Sequence, residues 1–172
     1  MTKSRIRLIL SNIRSTGNVG SILRTADATG VELVYACGYT PHPPQPNDPR
    51  PAHVSAANQR AIAKTALGAE MSLPVLHYPG TTTAISEAKH NGFHIIVIEQ
   101  AETALNLFSY QPPPDVPLAL VFGNEVDGVA QTCLDVADVV LELPMLGRKE
   151  SLNVAAAAAI VMYQIRLGSA SH

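Results

Sequence analysis

The sequence predicts an α/β fold, a mostly parallel sheet flanked by helices, and three observations carry that prediction. Segments rich in branched apolar residues alternate with segments of helical character along most of the chain. Strand candidates such as FHIIVIE and VPLALVFG are near-continuous apolar runs, as strands covered on both faces must be. The length of 172 residues, 47% of them apolar, suits one domain with a sizeable core.

The elements follow in order. RIRLILS (Arg5 to Ser11) is rich in branched residues and reads as a first strand. NVGSILRTADATG reads as a helix with Asn18 at its start, an apolar stripe of Ile22, Leu23 and Ala26, and Gly30 at its stop. VELVYAC is a second strand. The next stretch, GYTPHPPQPNDPRP, holds six prolines between Pro41 and Pro51, which deny it both helix and sheet. A loop of this length is expected to be functional or mobile. NQRAIAKTALGAE is helical up to a break at Gly68, and SLPVLHY is a strand. TTTAISEAKHNG is a helix with a threonine cap and Gly92 at its end. FHIIVIE, VPLALVFG and ADVVLELP are further strands, and a last helix runs from about Asn153 to Leu167.

Charge and cysteine content narrow the classes of function. Charged residues make up 15% and the net charge is −2, which argues against disorder and against a protein that grips nucleic acid over its whole surface. The first 24 residues nevertheless carry Lys3, Arg5, Arg7, Arg14 and Arg24 and no acid before Asp27. That asymmetry fits either a solvated terminus or a local anion-binding face. Cys37 and Cys133 are far apart and lack metal-ligand spacing, so neither a disulfide framework nor a zinc site is expected. With no signal-like or membrane-length apolar run, the chain reads as cytoplasmic.

Ligands of such sheets bind beyond the carboxyl ends of the strands, and three post-strand loops are unusually polar. The first, NIRSTGNVGSILRTADATG, offers glycines for close backbone approach, a helix start that favours an anion, and Arg24. An ordinary capped helix explains it equally. The second, VFGNEVDGV, places Asn124, Glu125 and Asp127 directly after a buried strand, where they suit either turn chemistry or catalysis. The third, LPMLGRKESLNVAAAAAIVMYQ, packs two cations, a carboxylate, a serine and an asparagine into residues 147–153 ahead of five alanines. Ser151 or Asn153 could serve as a plain N-cap, and the alanines as good helix formers.

Taken together and in this order, NVGSILRTA, VFGNE and LPMLGRKESLNVA resemble the three motifs of the SpoU (TrmH-like) branch of the SPOUT RNA methyltransferases, a likeness extending from about Arg5 to Leu167. The resemblance implies transfer of a methyl group from S-adenosyl-L-methionine to a ribose 2′-hydroxyl in tRNA or rRNA. It implies a C-terminal trefoil knot and a homodimer; several relatives carry an extra N-terminal RNA-binding domain, and this chain departs from them in being expected to form one domain without such an extension. By the same resemblance, the polar functional positions are Asn18, Arg24, Glu125, Ser151 and Asn153. The cofactor would contact Gly123, Asn124, Leu143, Met145, Ser151 and Leu152, with Glu99 to Ala101 covering part of it. RNA would meet Arg14, Arg24, Arg148 and Lys149, with Arg50 and Arg60 contributing. Ala155 departs from the pattern, standing where many relatives have serine. No membrane or metal partner is implied. Two rival readings stand beside this one: a cofactor- or RNA-binding module of the same fold without catalysis, and a flavodoxin-like nucleotide binder. The second lacks a phosphate loop and, with no Trp in the chain, an aromatic flavin clamp.

Overall fold

In the computed structural model, residues 4–168 are described; Lys3 of the basic N-terminal group lies outside them. Seven strands form one sheet in the order β3-β2-β1-β6-β4-β7-β5. They are β1 (Ile6–Ser11), β2 (Leu33–Cys37), β3 (Val75–Tyr78), β4 (His94–Ile98), β5 (Leu105–Asn106), β6 (Leu118–Phe122) and β7 (Val139–Glu142). Every pairing is parallel, so the sheet is wholly parallel rather than mostly so. The helices are α1 (Thr16–Ala28), α2 (Ala52–Ala66), α3 (Ala69–Ser72), α4 (Thr81–His90), α5 (Gln131–Leu134) and α6 (Val154–Gly168).

The period of two along the central strands builds two cores. Leu8 and Leu10 of β1, Leu118, Leu120 and Phe122 of β6, and Ile96 of β4 face α1, α2 and α6. The intervening Ile9, Ala119, Val121, Ile95 and Val97 face α4 and α5. Burial on both sides is why these strands read as unbroken apolar runs. α1 is clamped between α2 and α6. A Cβ at Gly20 would lie 2.4 Å from the Ile62 carbonyl oxygen, so this glycine serves the α1–α2 crossing rather than a ligand.

Local chemistry differs from expectation at several ends. Ser15, not Asn18, caps α1: its hydroxyl accepts from the Asn18 N–H at 3.2 Å. Asn18 therefore lies inside the first turn with its amide free for other work. Gly80 precedes α4 and no threonine hydroxyl caps it. Short elements β5 and α5, of two and four residues, carry no period long enough to read in sequence.

Two of the basic N-terminal residues, Arg5 and Arg7, are spent on the fold. Arg5 and Arg7 both bind Glu32, at 2.8 and 2.7 Å, and the Arg7 guanidinium lies 4.1 Å from the Phe93 ring centre. These residues sit at the amino end of β1, opposite the end where parallel-sheet ligands bind, so they form no anion face at the site.

Candidate active site

The carboxyl ends of β4, β6 and β7 open into a cavity of about 450 Å³. Its walls are Ile98 to Gln100 after β4, Phe122 to Val126 and Gly128 after β6, and Glu142, Leu143 and Met145 after β7. Ser151 to Val154 and Ala157 close it from the α6 side. Two of the three polar loops thus share one cavity, and the size lies within the about 300–1,000 Å³ range of small-molecule sites.

The GNEVDG turn is built tightly. Asn124 and Gly128 exchange backbone hydrogen bonds of 3.1 and 3.0 Å, forming an isolated antiparallel bridge. The buried Asn124 side chain accepts from the Val126 and Asp127 amides at 2.7 and 3.2 Å and donates to the Tyr39 hydroxyl. A Cβ on Gly123 would stand 2.4 Å from the Gly128 carbonyl carbon, so only glycine lets the turn close against its own strand. Glu99 pins the same turn by accepting from Val129 N–H at 2.8 Å, while its other oxygen accepts from Gln100 N–H at 2.9 Å.

The first loop joins through hydrogen bonds. The Asn18 side chain donates to Glu125 at 2.8 Å, and the Asn153 side chain donates to the Asn18 Oδ1 at 3.1 Å. Glu125 also accepts from the Arg14 and Ser15 amides at 3.1 and 3.4 Å. Partial burial alone would raise the Glu125 carboxyl, but the Arg14 amide and the Asn18 side chain outweigh it and hold it below the ordinary carboxylate range. The anion expected at the start of α1 is therefore a carboxylate of the chain itself. Asn153 meanwhile caps α6, its oxygen accepting from the Ala155 and Ala156 amides at 2.9 and 3.4 Å. One side chain thus does both jobs, capping and linking.

Of the expected contacts, Gly123, Asn124, Glu125, Leu143, Met145, Ser151, Leu152, Asn153 and Glu99 all line the cavity. Ala101 does not: the chain turns away there, with the Ala104 N–H donating to the Ala101 carbonyl at 2.9 Å. Gln100 takes that place and clasps the third loop, donating to the Glu150 carbonyl at 2.7 Å. Arg24 is exposed on α1 and outside the cavity wall. Arg14 is paired with Asp127 at 3.7 Å, and Arg148 and Lys149 are exposed on the third loop. Arg50 is committed elsewhere, bound to Asp48 at 2.5 Å. Gln100 lies within the expected Glu99 to Ala101 span, whereas Tyr39 escaped sequence reading; it directly follows the β2 loop glycine, a placement that was the available signal. Among the described residues no group of His, Cys, Asp or Glu has metal-site geometry, and no helix is long and apolar enough to cross a membrane.

Fold and cavity define an α/β protein that takes a small ligand beyond the carboxyl ends of its central strands. The sequence profile of the SpoU rRNA Methylase family matches residues 5–163, and the chain belongs to that family. It is 34% identical over 159 residues to a Staphylococcus aureus (strain COL) protein named for the TrmH family of tRNA/rRNA methyltransferases. That match covers 92% of this chain and 57% of the relative, so the chain spans little more than half the length of such relatives. Its fold is similar to an AdoMet-bound rRNA methyltransferase from Sinorhizobium meliloti, at TM-score 0.78 and 24% identity over 97% of this chain and 57% of that one. It is also similar to an RNA 2′-O ribose methyltransferase, at TM-score 0.76 and 24% identity over 98% and 58%.

Proposed function

We propose that the protein is an S-adenosyl-L-methionine-dependent methyltransferase acting on the 2′-hydroxyl of a ribose in tRNA or rRNA, as a homodimer. The observation that carries this reading is the hydrogen-bonded run Glu125–Asn18–Asn153, which ties all three motifs together at one cavity. The names of the relatives support the same class of chemistry. The trefoil threading of the C-terminal segment belongs to this reading.

The lining suits the cofactor. Apolar Ile98, Phe122, Leu143, Met145 and Leu152 accommodate an adenosine and its thioether chain, and Ser151 and Asn153 supply polar contacts beside them. When bound, the cofactor supplies a methyl group on a good sulfonium leaving group. The remaining task for the protein is to hold the ribose oxygen in line, and positioning of this kind is worth up to about 7–11 kcal/mol in the best intramolecular models. Glu125, kept ionised by its donors, fixes Asn18 and through it Asn153.

A guanidinium is a poor general base, so Arg24 is not assigned that part. Its role is to bind the adjacent phosphate and stabilise the alkoxide as the hydroxyl proton leaves to that phosphate or to water. Its place outside the cavity of its own chain accords with service to the cavity of a second copy. Ile160, Tyr163 and Leu167, exposed on one face of α6, accord with an apolar partner surface. The test is calorimetry with S-adenosyl-L-methionine followed by transfer of labelled methyl to total RNA. Binding and transfer are expected; binding without transfer to any RNA would instead make the chain a non-catalytic module.

A further inference from the structure

The proline-rich segment between β2 and α2 is cross-braced by its own side chains. Arg50 braces it from within, donating to Asp48 at 2.8 and 2.5 Å and to the His42 and Pro43 carbonyls at 3.1 and 3.2 Å. Gln45 anchors it to β3 through the Val75 carbonyl at 3.0 Å. Braced in this way, it encloses a second cavity of about 440 Å³ over the ends of β2 and β3, as roomy as the first.

Three features say what this cavity would take. His42 is buried and lies parallel to the exposed His77, ring centres 4.6 Å apart at 21°. Burial keeps the His42 ring neutral by lowering its pKa. The His77 Nε2–H donates to the Gly38 carbonyl at 2.9 Å, which fixes the ring. Two stacked imidazoles thus end in an aromatic plane open to solvent. Arg50 and Asp48 neutralise one another, so this lining offers no spare positive charge for a phosphate. The Asn58 side chain, on the α2 wall, makes no hydrogen bond among the described residues and can both donate and accept. Finally, Tyr39 lines this cavity while its hydroxyl receives the hydrogen bond of Asn124, which lines the other. The two cavities share a wall.

We propose that this second cavity is a nucleobase pocket, which stacks one unpaired base of the substrate RNA on His77, reads its edge with Asn58, and so sets which nearby ribose reaches the methyl-transfer site. The inference rests on the RNA reading of the first cavity. Recognition of splayed bases by aromatic stacking and edge hydrogen bonds is the usual route to sequence-dependent RNA binding.

The test uses the full chain with S-adenosyl-L-methionine present and a short randomised RNA oligonucleotide as probe. Replacing His77 by Ala should weaken oligonucleotide binding on the order of tenfold, the scale of one lost base stack. His77→Phe should restore most of it, because a flat ring remains. Asn58→Ala should change which bases are enriched in the bound fraction, with cofactor affinity unmoved in all three variants. Equal oligonucleotide binding and equal base selection across the wild type, His77→Ala and Asn58→Ala would overturn the proposal. Saturation of the His77 ring resonances by free nucleosides, at the same midpoint as by RNA, would also overturn it by making the pocket a small-molecule site. Oligonucleotide binding that depends on His77 without any methyl transfer would sustain the pocket and count against the proposed activity alone.

Discussion

At the scale of single residues, Arg24 and Gly123 separate two kinds of importance. Arg24 makes no hydrogen bond or ion pair among the described residues, so replacing it costs the fold little. Arg24→Lys keeps the charge but loses the planar fork, and methyl transfer should fall more than about tenfold with cofactor affinity nearly unchanged. Steady-state rates beside calorimetric titration of the cofactor check this; unaltered turnover removes Arg24 from the mechanism. Gly123 is the reverse case. Gly123→Ala drives a methyl group into the Gly128 backbone, 2.4 Å away, so the motif-two turn must shift. Cofactor binding should be lost together with about 1–3 kcal/mol of stability, read from a urea melt. Both residues stood out in sequence, one as a lone cation on a helix and the other as a glycine ending a buried strand. The hydrogen bonding of Glu99 did not. It sits at the end of β4 as a cofactor neighbour should, yet both its oxygens accept backbone amides, one of them 30 residues away. No local pattern encodes such a partner.

At the scale of elements, α1 is the piece that joins fold to site. Its amino end receives the Glu125 carboxylate through two backbone amides and the Asn18 side chain. Because these donors hold the folded-state pKa below its ordinary value, the stability they contribute is present above that value and is lost as pH falls through the folded one. Glu125→Gln should therefore lower stability at neutral pH by about 1 kcal/mol, and the gap to the wild type should close in acid. Urea midpoints across the acid range report this; a gap independent of pH would contradict the assignment. The long elements were legible because burial on both faces leaves an apolar run for each central strand, and burial on one face leaves a stripe for α1. Their ends were less legible. Ser15, Thr16 and Asn18 crowd one helix start; Ser15 caps it, while the Asn18 side chain is taken by Glu125, more than a hundred residues away. The proline loop was legible as a loop, but its internal bracing by Arg50 was not, since the same arginine reads as a free cation in sequence.

At the scale of the whole molecule, three polar stretches remote in sequence converge because a parallel sheet sends every strand's carboxyl end to one edge. Order and spacing of those stretches sufficed to indicate the family, whereas the pairing order β3-β2-β1-β6-β4-β7-β5 had no local signature. Ligand occupancy of the shared edge should stabilise the entire domain. At a cofactor concentration about a hundredfold above Kd the gain is about 2.7 kcal/mol, visible as a rise in Tm that a fold without this site would not show. The central claim concerns where the methyl group goes, and the chemical position of labelled methyl in RNA tests it most directly. After incubation with labelled S-adenosyl-L-methionine and total RNA, alkaline hydrolysis cleaves wherever a free 2′-hydroxyl remains. The account predicts that the label survives in alkali-resistant dinucleotides and is recovered as a 2′-O-methylnucleoside, and that Arg24→Ala abolishes it. Label recovered on a base, or in alkali-labile mononucleotides, would contradict the account.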